Sequence, residues 1–186
     1  KDVLKEGRLP LNKAINYAQQ MATGLAKAHQ QHIIHRDIKP ANLMLTNDDV
    51  LIILDFGLAK LAGEGALTRT GTTLGTTYYM SPEQTMGQGV DHRTDLWSLG
   101  ATFYEMVTGL KPFEAEFEQA VLYHVMHSEP KPSNLLNPEI PEYINNLIMR
   151  LLQKNPDNRL HHAYEVGEEL GGTFTYTDLT PLPAQP

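Results

Sequence analysis

His35-Arg36-Asp37-Ile38-Lys39-Pro40-Ala41-Asn42 is followed, beyond two short apolar runs, by Asp55-Phe56-Gly57. The first segment crowds charged and amide side chains around a proline, so it reads as a loop. Leu43 to Leu45 and Val50 to Leu54 are β-prone, and Thr46-Asn47-Asp48-Asp49 between them supplies turn residues, so the spacing predicts a hairpin. Taken singly, each charged residue here has an ordinary reading. Asp37 is a solvated loop charge, and Asp55, after an apolar run, is a strand end or a helix cap. The ordered pair of segments with a hairpin between them is far more specific than either triplet.

Outward from this stretch the chain reads as helices. Before it, Ala14, Ala18, Met21, Leu25 and Ala28 recur at spacings of three and four, which predicts a helix over 11–31 behind Pro10. After it, residues 55–82 carry no helical or strand period and are rich in glycine and threonine. A stretch this long without period is functional or disordered. Asp95 to Thr108 then reads as a helix with Leu96, Leu99, Phe103, Met106 and Val107 on one face, stopped by Gly109. Helices follow over 117–127, from Pro141 through Leu152, and over about 161–170. Residues 171–186 are Thr- and Pro-rich and read as a tail or linker. No internal repeat is visible.

Composition narrows the function classes. The 186 residues suit one domain or a large piece of one, and an apolar share of 41% allows a packed core. The longest strongly apolar run, Val50 to Leu54, is far short of the about 20 residues a membrane-spanning helix needs. Net charge is −7, from 15 basic and 22 acidic residues, and no basic stripe is present, which argues against nucleic acid as a partner. The absence of cysteine excludes disulfides, thiol catalysis and Cys-ligated zinc. His29, His32 and His35 share a helical spacing and His161-His162 are adjacent. Zinc wants a closed ligand set at characteristic spacing, so these histidines read as surface or packing residues.

The two quoted segments resemble the catalytic loop and the metal-binding motif of the protein kinases. Ser81-Pro82-Glu83 is similar to the family's Ala-Pro-Glu, Asp95-Leu96-Trp97-Ser98-Leu99-Gly100 to the Asp-bearing helix of the large lobe, and Arg159 to the late arginine that pairs with Glu83. The resemblance covers residues 1–170 and, through Ser-Pro-Glu-Gln, leans to bacterial members. It implies an α+β fold, a mainly helical C-terminal lobe with short β-hairpins, without its N-terminal lobe. It implies ATP and Mg²⁺ as cofactors and a protein Ser/Thr hydroxyl as acceptor. Asp37 matches the carboxylate that orients that hydroxyl and takes its proton, and Asn42 and Asp55 match the oxygen ligands of magnesium. Lys39 matches the lysine aimed at the transferred phosphate, which favours Ser/Thr over tyrosine. Met44 falls among the nucleotide-binding positions. His35, Phe56, Gly57 and Asp95 match structural positions, Asp95 as the buried acid that anchors the catalytic-loop backbone.

The same resemblance makes residues 55–81 an activation segment. Arg36 before Asp37, with Lys60, matches a pocket for a phosphorylated residue, and a phosphothreonine adds roughly −1.5 to −2 charges that can order a loop through arginine. Thr68 and Thr70 resemble the paired phosphosites of bacterial kinases, and Thr72 lies where many eukaryotic kinases carry theirs. Thr76 resembles the threonine that hydrogen-bonds the catalytic Asp and Lys. Ala41 stands where several Arg-directed kinases carry an acid, which disfavours that route to basic-peptide specificity, although Glu105 is a second candidate for it.

No G-x-G-x-x-G and no strand-borne Val-Ala-x-Lys precedes Asp37, so the Gly-rich loop, the strand Lys and its paired Glu of a whole kinase are expected to lie outside this sequence. The expectation is a fragment of an active Ser/Thr kinase that is inactive alone and whose uncovered cleft or activation segment favours pairing of two copies. The competing classes are a non-catalytic kinase-like scaffold or docking module and a small-molecule phosphotransferase. Intact Asp37, Lys39, Asn42 and Asp55 favour an enzyme, and Gly75-Thr76 with Ser81-Pro82-Glu83 favours a protein substrate. The resemblance places it in the cytoplasm, free or as the cytoplasmic part of a longer membrane-anchored protein.

Overall fold

The computed structural model describes residues 7–56 and 75–172. Helix α1 is Leu11–Gln30, opened by Pro10 and basic in its last turn through Lys27 and His29, as the helix dipole favours. Its buried stripe runs Ala14, Tyr17, Ala18, Met21, Ala22, Leu25 and Ala26. A 3₁₀ turn, Pro40–Asn42, leads into the hairpin β1 (Leu43–Leu45) and β2 (Leu51–Ile53). The strands are antiparallel, with Leu43 opposite Ile53, Met44 opposite Ile52 and Leu45 opposite Leu51. Asp49 closes the turn with φ +58, a left-handed conformation that Asp tolerates. Three residues of α1 dock the hairpin: Tyr17 Oη donates to Asp49 Oδ1 (3.0 Å), Lys13 pairs with Asp49, and Gln20 Oε1 accepts from Leu51 N (2.7 Å).

The remaining elements are a 3₁₀ turn (Thr77–Tyr79), α2 (Pro82–Thr85), α3 (Arg93–Thr108), α4 (Glu118–His127), α5 (Ser133–Leu136), α6 (Glu142–Leu151), a 3₁₀ turn (Pro156–Asn158) and α7 (Ala163–Glu169). The helices read from sequence are present, with ends shifted by one or two residues. The short α2 and α5 carry too few turns for a period and were not expected.

Helix α3 departs from the single apolar face read from its sequence. It is buried nearly all round, Thr94, Asp95, Ser98 and Thr102 included, because α1, α5, α6 and the 77–79 turn pack against it from different sides. Two of its hydroxyls bond back to the preceding turn, Thr102 Oγ1 to Ser98 O (2.8 Å) and Ser98 Oγ to Thr94 O (3.2 Å), and Ser98 Oγ also reaches Tyr79 O (2.8 Å) on the 77–79 turn. Gly100 makes the close approach to α6 possible, since a Cβ there would stand 2.6 Å from Leu151 Cβ. Gly109 ends the helix at φ +74 with its N–H on Glu105 O. The core is therefore a central helix sheathed by others, with each fully buried Leu, Ile or Phe contributing about 1.5–3 kcal/mol. No helix among the described residues is long and apolar enough to cross a membrane.

Candidate active site

The site is built on the first turn of α3. Asp95 is fully buried, and its carboxylate accepts three hydrogen bonds: His35 N (2.8 Å) and His29 Nε2 (2.8 Å) on Oδ2, and Arg36 N (2.7 Å) on Oδ1. These bonds hold Arg36 at φ +68, a conformation costly for a side chain without glycine's freedom. A rigid buried helix thus dictates the backbone path immediately before Asp37.

His35 ties that path to the hairpin. Its Nε2 donates to Leu54 O (2.8 Å), which leaves Nδ1 to accept from Asp37 N (3.2 Å). Its ring meets Phe56 edge-on at 4.9 Å between centroids. Leu54 N in turn donates to Asn42 O (2.9 Å), so the open end of the hairpin brings Asn42 beside Asp55. Asp55 also holds a positive φ, +59.

Around Asp37 the side chains converge. Lys39 Nζ lies 2.9 Å from Asp37 Oδ2 and donates to Thr76 Oγ1 (2.7 Å). Asn42 Nδ2 donates to Asp37 Oδ2 (3.0 Å) and Asp37 O (2.8 Å). One carboxylate oxygen is therefore engaged by Lys39 and Asn42, while Oδ1 has no partner among the described residues. The amide nitrogen of Asn42 is engaged, which leaves Oδ1 as its free oxygen. With the Asp55 carboxylate this makes a pair of hard oxygens, the ligand type magnesium takes, so the residues fit that ion.

The supporting frame lies behind. Glu83 and Arg159 form a bidentate buried pair at 2.7 and 2.8 Å. Arg159 gives its other N–H groups to the carbonyls of Gln153, Arg93 and Lys154, so all five donors of the guanidinium are used. Burial alone would raise the Glu83 carboxyl, but the hydrogen bonds and charge of Arg159 hold it below the ordinary carboxylate value. Tyr79 donates to Glu105, and burial, then the Glu105 charge, push that phenol upward. Glu105 is thereby engaged with the protein itself. Thr77 Oγ1 donates to Glu118 (2.6 Å), linking the segment after Thr76 to α4.

Of the residues singled out from sequence, Asp37, Lys39, Asn42 and Thr76 are brought into contact, His35 meets Phe56, and Glu83 meets Arg159. Asp55 stands next to Asn42 through the hairpin. Met44 sits on β1, half exposed, and makes no polar contact with the others. Gly57, Lys60, Thr68, Thr70 and Thr72 lie outside the described residues, as does the tail from 173 onward. Two residues were missed. His29 is a partner of Asp95 and not a surface or packing histidine. The stripe Ala18, Ala22, Leu25 continues at the same spacing to His29, which places it on the buried face but does not name its partner. Gln84, whose Nε2 donates to Arg36 O (2.7 Å), had no sequence signal.

A family model described as "Protein kinase domain" matches residues 1–168. The chain is 42% identical over 171 residues to a probable serine/threonine-protein kinase of Clostridium acetobutylicum, covering 91% of the chain and 26% of that protein. It is 40% identical over 167 residues to a probable serine/threonine-protein kinase of Clostridium perfringens (89% of the chain, 24% of that protein). It is 36% identical over 167 residues to the serine/threonine-protein kinase PknB of Mycolicibacterium smegmatis (89% and 27%). The chain thus spans about a quarter of the length of these relatives.

Proposed function

The chain belongs to the protein kinase family, and from that premise we propose that it is the catalytic and acceptor-binding lobe of a serine/threonine kinase, which moves the γ-phosphoryl group of ATP to a hydroxyl of a protein substrate. The observation that carries this reading is the Lys39 ammonium, set between Asp37 Oδ2 at 2.9 Å and Thr76 Oγ1 at 2.7 Å. In phosphoryl transfer the protein mainly positions groups and stabilises charge. Asp37 orients the acceptor hydroxyl through its free Oδ1 and takes its proton as the hydroxyl oxygen bonds to phosphorus and the bond to the β-phosphate oxygen breaks. Lys39 places a positive charge beside the oxygens of the phosphoryl in flight. Asn42 holds Asp37 in register through Nδ2 and, with Asp55, would hold magnesium. The ion, when bound, neutralises charge on the phosphates.

Residues 1–170 make up this lobe and 171–186 a tail or linker, and the nucleotide clamp is supplied by chain outside this sequence. Arg36 supports a phosphorylation switch in the activation segment, with Thr68, Thr70 and Thr72 as candidate sites. Its Nε is buried without a partner among the described residues, so a donor is left over for an anion. Lys60 would add a second positive charge.

The test is ATP- and magnesium-dependent transfer of labelled phosphate to a Ser/Thr protein by the protein that carries both this chain and its nucleotide clamp. Asp37→Asn is expected to lower kcat by about a hundredfold or more, as for loss of a general base. Residues 1–186 alone are expected to transfer almost nothing. An inactive whole protein, or a fully active Asp37→Asn variant, overturns the reading.

A further inference from the structure

Gln84 follows the Ser-Pro-Glu triplet, and both ends of its amide are engaged. Its Oε1 accepts from Ser81 N (3.1 Å) while Ser81 Oγ accepts from Gln84 N (3.3 Å), a reciprocal cap of α2. Its Nε2 reaches across 48 positions of sequence to Arg36 O (2.7 Å). A cap needs only the oxygen. The nitrogen does something else.

The acceptor is not an ordinary carbonyl. Arg36 sits at φ +68, and its two flanking peptides carry the chain into Asp37. The peptide before it is pinned by Asp95, which accepts Arg36 N at 2.7 Å. The peptide after it has its N–H, that of Asp37, on His35 Nδ1 at 3.2 Å, a long bond. Its carbonyl is held by Gln84 alone among the described residues. Without that donor the peptide joining Arg36 to Asp37 is held only by the long bond at its N–H, and a tilt of that peptide shifts the Asp37 carboxylate with it. Gln84 is itself firmly based, because Glu83 beside it is locked to Arg159 and Ser81 Oγ lies 2.6 Å from Thr94 Oγ1 on α3.

We propose that Gln84 is a positioning residue for Asp37: its amide N–H clamps the Arg36 carbonyl, so that the segment closing the activation loop and the catalytic loop are set by one side chain. The consequence rests on the kinase reading above, but the clamp does not. Gln84→Leu removes both halves of the contact. Gln84→Glu keeps an oxygen for the Ser81 amide and replaces only the donor, and it covers the case in which the leucine variant does not fold.

Two measurements decide it, both on the whole protein. The first is hydrogen exchange of the Asp37 amide, expected to speed up by about tenfold in either variant, the change that follows from losing one buried hydrogen bond. The second is steady-state kinetics, where kcat is expected to fall by about tenfold with KM for ATP unchanged, the signature of a misplaced acceptor-side group. A purely structural role would lower the urea midpoint but leave kcat per folded molecule within about twofold of wild type, and that result overturns the proposal. Unchanged Asp37 exchange in a folded variant also overturns it. If the unsubstituted protein transfers no phosphate while exchange still accelerates, the clamp is supported and the kinase reading is the one that falls.

Discussion

Arg159→Met is the perturbation with the most structure behind it. Arg159 is fully buried, its partner Glu83 nearly so, and the guanidinium satisfies one carboxylate and three main-chain carbonyls, those of Arg93, Gln153 and Lys154. Methionine fills much of the volume but donates nothing. Removing one member of a buried ion pair strands the other charge and costs about 3–5 kcal/mol. At about 2–4 °C per kcal/mol for a domain of this size, the melting point falls by roughly 6–20 °C. Trp97 is the one tryptophan of the chain, and its ring lies 5.1 Å from the guanidinium, so its fluorescence reports this spot while circular dichroism reports the helices. Urea unfolding followed by both signals shows whether the loss is global or local.

Glu83→Leu combined with Arg159→Met should cost less than Arg159→Met alone, because no charge is then left buried. The pair also has a pH signature. The folded Glu83 carboxyl lies below its unfolded value of about 4.3, so its contribution is complete above that pH and is lost as pH falls through the lower folded value. The stability gap between wild type and Glu83→Gln should therefore narrow on acidification below about pH 4. A cost for Arg159→Met below about 1 kcal/mol, or a gap that widens in acid, would refute the reasoning.

Two further outcomes are expected. Gly100→Ala should destabilise by about 1–3 kcal/mol in thermal or urea melts, against a helix-propensity gain of about 1 kcal/mol, because the new Cβ meets Leu151; a net gain in stability would show that α3 and α6 are not so closely packed. Lys154 is pushed down to about 8, chiefly by burial, with Phe113 and Trp97 around its ammonium group. Above pH 8 the folded chain has shed a proton that the unfolded chain keeps up to about 10.4, so stability should rise with pH in that window. Lys154→Met should flatten the rise, and an unaltered slope in proton-linked melting would remove Lys154 as its source.

Local features are legible in the sequence. The stripe Ala14, Ala18, Met21, Leu25 is a helix because burial repeats with the helical period, and Thr46 to Asp49 turns because its residues tolerate the left-handed conformation that Asp49 adopts. The reading failed where burial has no period. On α3 the period picks out one apolar face, yet the polar Thr94, Ser98 and Thr102 are inside as well, because each hydroxyl finds a partner there, beside the Asp95 that the family resemblance places as a buried acid. His29 was missed because a histidine ending an apolar stripe looks the same whether it faces solvent or a buried carboxylate.

Residue types and their order thus determined the family, the helices and hairpin, and which carboxylates and amides the proposed site draws on. Those depend on neighbours a few positions apart and on motifs that need no coordinates. Tertiary structure alone decided how the groups are used: that Asp95 serves His29, His35 and Arg36 together, that Asp37 keeps one oxygen free while Lys39 and Asn42 engage the other, and that Gln84 holds the carbonyl before it. Several of these bonds join residues dozens of positions apart. Their geometry follows from how buried helices pack around α3, and that is a property of the whole core and not of any one segment.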